Sequence, residues 1–347
     1  MTGPDIIDLT APPGPGAGFL GASLIPARGL MLLQARARLA DGREVAVIHA
    51  PARSALPGLL DGGAADFQGN ASFSFGGAVL APFANRIRGR FDPATRSIEA
   101  MVAGRALRLP ANGGGKAPGA EQYAIHGRIL ATPVSAMQVQ PASASGVIEA
   151  GDFGVGWPSS TRLTIVWTLS TAALGLRVEA RNVGTQPTPI GLGWHPYFAL
   201  PSGLRDQARL RLPAGARLPV NDYDEVLPTG QVLPVAGTDF DFRAGVALGD
   251  RYLDDCFTEL ARDAAGQVVC EVTDPAASYG LRITSASPHI QAIQTFTAPG
   301  RAFVVVEPQF NLANPYGAEW GGRETGMVLL PPGGAASYDA TLTLFTP

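Results

Sequence analysis

The chain has only two cysteines in 347 residues, Cys256 and Cys270, and their spacing fits no metal-ligand pattern. No structural disulfide is expected, and a reducing compartment, the cytoplasm, is the expected location. Charge is scarce as well: 16% of residues are charged, against roughly 25% in an average soluble chain. A formal net charge of −3 gives no electrostatic footprint for nucleic acid or an anionic membrane surface. No apolar run reaches the ~18 residues needed to cross a bilayer. Residues 1–15 do not join a basic segment to an apolar core, so no secretory leader is expected. A phosphate-binding Walker loop, a zinc-protease helix and a G-x-S-x-G elbow are all missing. Gly16-Ala17-Gly18-Phe19-Leu20-Gly21 spells the dinucleotide fingerprint. It follows Ala11-Pro12-Pro13-Gly14-Pro15 rather than a strand, so it is given no nucleotide role.

Glycine and proline, in contrast, are plentiful, at 43 and 30 residues, which points to many turns and few long helices. Between the turns, apolar residues alternate with polar or smaller ones. Leu163, Ile165, Trp167 and Leu169 form one such series, and Leu174, Leu176, Val178 and Ala180 a second. Tyr338, Ala340, Leu342 and Leu344 form a third. This period of two predicts half-buried antiparallel strands, with shorter strands at 44–48, 281–285, 290–296 and 302–306. No stretch sustains a helical period with caps at both ends. The expectation is an all-β protein, a large antiparallel β-sandwich in one domain spanning residues 1–347. Residues 1–20 are expected to be an irregular extension or an edge, and 108–120 a long loop.

Ionisable residues inside apolar runs are the candidates for chemistry, because a buried charge is costly unless something uses or pairs it. His195 lies in Gly193-Trp194-His195-Pro196-Tyr197-Phe198, and Glu307 ends Phe303-Val304-Val305-Val306-Glu307-Pro308. The proline after each holds the preceding backbone extended. These two read as a positioned acid and base. His126, before Gly127, is a third candidate, whereas His49 reads as structural and His289 as a surface residue. Asp254 or Asp255 would turn one carboxylate inward, while Asp239 and Asp241 read as turn or ion-pair residues. Arg86, Arg88 and Arg90 alternate, so one strand face would carry three guanidiniums, either solvated or gripping an anion.

These landmarks together resemble the aldose 1-epimerase (galactose mutarotase) family. In order they are Asn85-Arg86-Ile87 with Phe91, His126-Gly127, Asn182, and Gly193 to Phe198. Leu227-Pro228-Thr229-Gly230, Asp241-Phe242-Arg243, Asp254-Asp255-Cys256-Phe257, Gln294-Thr295-Phe296-Thr297 and Glu307-Pro308 follow. The matches span roughly residues 80–345. The resemblance implies a supersandwich of the galactose mutarotase type with a sugar groove on one sheet, no metal and no cofactor. It implies Glu307 as general base and His195 as general acid. Arg86, His126, Asp254, Gln294 and Asn85 would then be substrate-binding residues. The sequence departs from the pattern at Arg128, where a second small residue is usual, and in the distinctive 108–125 segment at one rim of the groove.

The expected reaction interconverts α and β anomers of a free aldose. One group takes the anomeric hydroxyl proton, another protonates the ring oxygen, the ring opens, and closure on the other face reverses both transfers. The partner is a small-molecule sugar, with no nucleic acid or membrane, and the protein is a monomer or homodimer. Two alternatives stand beside this reading. One is a hexose-6-phosphate 1-epimerase using the arginine row. The other is a non-catalytic carbohydrate-binding protein of the same fold.

Overall fold

A computed structural model describes residues 4–14 and 16–347. Met1–Gly3 and Pro15, which belong to the segment read as lacking a leader and to the expected N-terminal extension, lie outside the described residues. Among the described residues, two antiparallel sheets of eleven and nine strands dominate. The alternating segments form the strands Thr161–Leu169, Ala173–Asn182 and Ala335–Phe345, which sit side by side in the nine-stranded sheet. The centre of the eleven-stranded sheet consists of Gly77–Leu80, Gly193–Ala199, Phe303–Gln309, Ala292–Thr297 and Leu253–Leu260, in that spatial order. One buried cluster fills the space between the sheets. Trp167 of the smaller sheet meets Trp194 of the larger, with ring centroids 5.6 Å apart.

Strand alternation explains why the large sheet reads as a continuous apolar run and yet carries ionisable groups. In Gly193–Ala199, Trp194 and Phe198 join the core between the sheets. His195 and Tyr197 therefore face the opposite side. In Phe303–Gln309, Val304 and Val306 are core residues, so Glu307 shares the outer face with Val305 and Phe303. Loops cover this outer face, which leaves both sides of the strands buried. Such strands lose the apolar–polar alternation of half-exposed ones.

Of the two expectations for residues 1–20, the edge is met where the chain is described: Ile7–Thr10 forms an edge strand on Gly18–Ile25. That pairing also draws Gly18 and Gly21 of the glycine motif into a strand. The 108–120 stretch is only partly a loop: Arg105–Pro110 closes a hairpin with Ser97–Val102. Gly113–Gly114 pairs with Gln122–Ile125, which in turn pairs with Arg86–Arg88. Finally, the arginine row breaks at Gly89, where a Cβ would meet the Glu99 backbone carbonyl. Arg90 starts a separate strand, Arg90–Asp92, in another sheet.

Candidate active site

A single register row crosses the outer face of the large sheet. Cys256 pairs with Gln294, and Gln294 pairs with Glu307. The pairing of Gly193 with Gln309 and Tyr197 with Val305 sets His195 opposite Glu307. Directly opposed residues project to the same side, so backbone register alone places the carboxylate and the imidazole together. His195 Nε2 lies 3.4 Å from Glu307 Oε1. Their residues are 6% and 1% exposed, which makes the pair a desolvated one.

Burial sets the protonation of this pair. It pushes the Glu307 carboxyl well above the usual range, the Asp254 charge adds to the shift, and Arg86 opposes it. Burial pushes His195 down to about 3, with the Arg86 charge contributing. Both groups therefore favour their neutral forms, rather than an ionised Glu307 beside a protonated His195. Both arrangements hold the same single proton, so the pair titrates as a unit.

A closed polar ring stands beside the pair. Asn85 Nδ2 donates to Gln294 Oε1 at 2.9 Å, and Gln294 Nε2 donates to Asp254 Oδ1 at 2.6 Å. Arg86 Nη2 donates to Asp254 Oδ2 at 3.4 Å, and Arg86 Nη1 returns to Asn85 Oδ1 at 2.9 Å. The ring fixes the planes of the guanidinium and the carboxylate. Arg86 also lies over the Tyr123 ring, 5.6 Å from its centroid. Asn85 has no exposed surface, and both ends of its amide are engaged within the ring. Asn85 thus holds the Gln294 amide and the Arg86 guanidinium in place.

His126 stands beside the pair. Its ring meets His195 edge-on, with centroids 4.8 Å apart, and Phe73 packs against both rings, 4.8 Å from His126 and 6.1 Å from His195. Burial holds His126 well below the usual histidine range, reinforced by the His195 and Arg86 charges. Asn85 and His126 both adopt left-handed backbone, with φ of 59° and 58°, and the His126 amide donates to the Asn85 carbonyl. Such backbone is uncommon outside glycine and clusters at functional sites. Gly127, at φ 77°, turns the chain where a Cβ would run into the Ala81 carbonyl. Gly127→Ala is expected to cost about 1–3 kcal/mol, read as a lower urea midpoint.

Four side chains of this cluster each hold a buried polar atom with no protein partner: Arg86 Nε, His126 Nδ1, His195 Nδ1 and Glu307 Oε2. Buried polar atoms are nearly always bonded, so four such atoms together mark a site for a polar ligand.

The other candidates lie outside the cavity. Asp255 is fully buried and accepts from Arg217 Nε at 2.7 Å and the Tyr223 hydroxyl at 2.9 Å; Asp254 is the cavity carboxylate. Arg88 donates through Nε to Glu121 at 2.8 Å, and Arg90 pairs with Glu99. Arg128 donates to Gln68 at 2.8 Å. Asp241 binds Arg243, two residues further along the chain. His49 is exposed against Phe303, and His289 is half-buried against Phe310. The distinctive rim segment is fastened to the 221–227 loop. The Lys116 and Ala117 amides donate to Asp224, and the Glu121 amide donates to Glu225.

Sequence reasoning passed over Tyr123, Phe73 and Tyr197. Tyr197 was within reach, since it stands two residues after His195 and stacks on it at 5.2 Å. Phe73 comes from a 3-10 segment, Phe67–Phe73, with no sequence signal linking it to the sheet.

The fold is a β-sandwich with a cluster of buried ionisable side chains on the outer face of its larger sheet. The chain belongs to the aldose 1-epimerase family, whose profile, described as Aldose 1-epimerase, matches residues 48–338. Galactose mutarotase from Rattus norvegicus is 33% identical over 183 residues, covering 50% of this chain and 46% of that protein. Its counterpart in Mus musculus is 30% identical over 189 residues, 51% and 48% respectively. The matched stretch thus spans about half the length of these curated relatives. Among solved structures, a GalM/aldose epimerase homologue from C. elegans matches with a TM-score of 0.73 at 17% identity, covering 99% of both chains. A galactose 1-epimerase from Lactobacillus acidophilus NCFM gives 0.64 at 17% identity over 99% of both. These two share the galactose mutarotase-like fold.

Proposed function

We propose that this protein is an aldose 1-epimerase acting on a free, neutral aldose. The observation that carries this reading is the buried Glu307–His195 pair, 3.4 Å apart, surrounded by unpartnered polar atoms. Ring opening needs one proton taken from the anomeric hydroxyl and one given to the ring oxygen, and both oxygens are bonded to the same carbon. Two groups in contact across one cavity can serve both. Glu307 is the base and His195 the acid. The hydroxyl that donates to Glu307 supplies the hydrogen bond its carboxylate lacks, which favours the ionised form. The pair's single proton then sits on His195, beside the ring oxygen. Closure on the other face returns it, so each turnover restores the pair. A well-placed acid or base contributes about 10²–10⁴-fold. Arg86, Asp254, His126 and Gln294 hold the ring hydroxyls.

A neutral substrate fits the arginines better than a phosphorylated one, because Arg88 and Arg90 each already hold a carboxylate. Polarimetry or exchange NMR over glucose, galactose, xylose and glucose 6-phosphate tests the reading. The expected result is anomerisation of free aldoses well above the spontaneous rate, with no preference for the phosphate. Arg88→Ala should leave the ratio of the two glucose rates unchanged. Sugar binding with only spontaneous anomerisation would instead identify a carbohydrate-binding protein.

A further inference from the structure

The His195 imidazole is held by rings rather than by hydrogen bonds. A catalytic imidazole is usually oriented through its second nitrogen, bonded to a carboxylate or a carbonyl. His195 Nδ1 is buried without such a partner. Its Nε2 faces Glu307 at 3.4 Å, beyond the usual length of such a bond. The torsion that turns an imidazole about Cβ–Cγ is broad and roughly twofold. A half-turn there would put the Cε1 carbon where Nε2 now meets Glu307.

Three rings pack against this imidazole. Tyr197 lies nearly parallel to it, at 5.2 Å and 24°. His126 meets it edge-on at 4.8 Å, and Phe73 is tilted against it at 6.1 Å. The Tyr197 hydroxyl donates to the Phe73 carbonyl at 2.9 Å, so the residue stacked on the imidazole also holds the main chain of Phe73. Tyr197 is itself well fixed. Its amide donates to the Gly76 carbonyl at 2.8 Å, and its carbonyl accepts from the His49 amide at 2.7 Å. Its ring meets Phe303 at 4.9 Å and is buried. Burial also pushes the phenol well above its usual range, so Tyr197 keeps its proton. What it offers His195 is a flat, immobile face.

Resting on the epimerase reading above, we infer that Tyr197 is a positioning residue for the acid. Its stacked ring fixes the orientation of the His195 imidazole and keeps Nε2 toward Glu307. The ring face sets the orientation, and the hydroxyl secures Phe73.

The test compares glucose anomerisation in the wild type, Tyr197→Phe, Tyr197→Leu and Tyr197→Met. Tyr197→Phe retains the ring face and should hold kcat within about threefold. Leucine and methionine fill the space without a flat face. In both variants kcat should fall about 10–100-fold, with KM within about twofold. The two fillers differ in shape and flexibility, so the result does not hang on one variant folding. Full kcat in either, a loss carried by KM, or an equal loss in Tyr197→Phe overturns the inference. Nitrogen NMR of isotope-labelled histidine reads the orientation without any sugar. His195 should give one set of imidazole resonances in the wild type and Tyr197→Phe, and a second or exchange-broadened set in the leucine and methionine variants. An unchanged single set in those two also overturns the inference. If the wild type anomerises no aldose, the epimerase reading fails and the resonances alone decide whether Tyr197 orients His195.

Discussion

Glu307→Gln is expected to remove most anomerase activity, a drop of about 10²–10⁴-fold, while raising the melting temperature by a few degrees at neutral pH. Both effects come from the same burial. The folded protein holds the Glu307 proton at pH values where the unfolded chain has released it, because burial raises the folded-state value above 4.5. Ionising this residue thus costs the folded state, and wild-type stability declines as pH rises from 4.5 through the folded-state value. Glutamine keeps the shape and removes the ionisation, so the variant lacks that decline. His195 works in the opposite sense: its value falls from 6.5 to about 3, so the folded state binds fewer protons than the unfolded chain between those limits. Its contribution is present above pH 6.5 and lost on acidification toward pH 3. Urea midpoints measured from pH 3 to 9 should show both limbs in the wild type and only the acid limb in Glu307→Gln. A variant that retains wild-type kinetics, or loses stability at neutral pH, would remove Glu307 from the role given to it.

Asp254→Ala is expected to be the most damaging single change near the cavity. The Arg86 guanidinium is 8% exposed and has Asp254 as its carboxylate partner. Removing that carboxylate strands a buried positive charge, a defect that typically costs about 3–5 kcal/mol. It also opens the four-membered polar ring, freeing the Gln294 amide and the arginine plane together. Activity should fall through KM as well as kcat, since the ring both holds hydroxyls and sets the field at the acid–base pair. Asp255→Ala offers the comparison: it loses the Arg217 and Tyr223 contacts. It should destabilise the protein while affecting kinetics much less. Equal kinetic damage from both substitutions would argue against Asp254 as the sugar-facing carboxylate.

Much of the site was legible in the sequence, because the large sheet is buried on both faces. An ionisable residue within such a strand stands out from its apolar neighbours, which is how His195 and Glu307 could be named. The same alternation that set Trp194 and Val306 in the core put the acid and base on the other face. The pairing of the two strands was not legible: 112 residues separate His195 from Glu307, and nothing local fixes their register. Asn85 stood out in the sequence, but that its amide serves Arg86 and Gln294 is visible only in the tertiary structure. The arginine row failed for a related reason. Three alternating residues share a face only if the strand continues, and Gly89 ends it.

The sequence by itself determined the fold class and singled out His195 and Glu307 as ionisable residues inside apolar strands. A period of two and the cost of burying charge are local properties that composition and order record directly. The tertiary structure alone decided the register row, the closed polar ring and the protonation of the pair. Each of these depends on distance and desolvation between residues far apart in the chain, and both are properties of packing rather than of order.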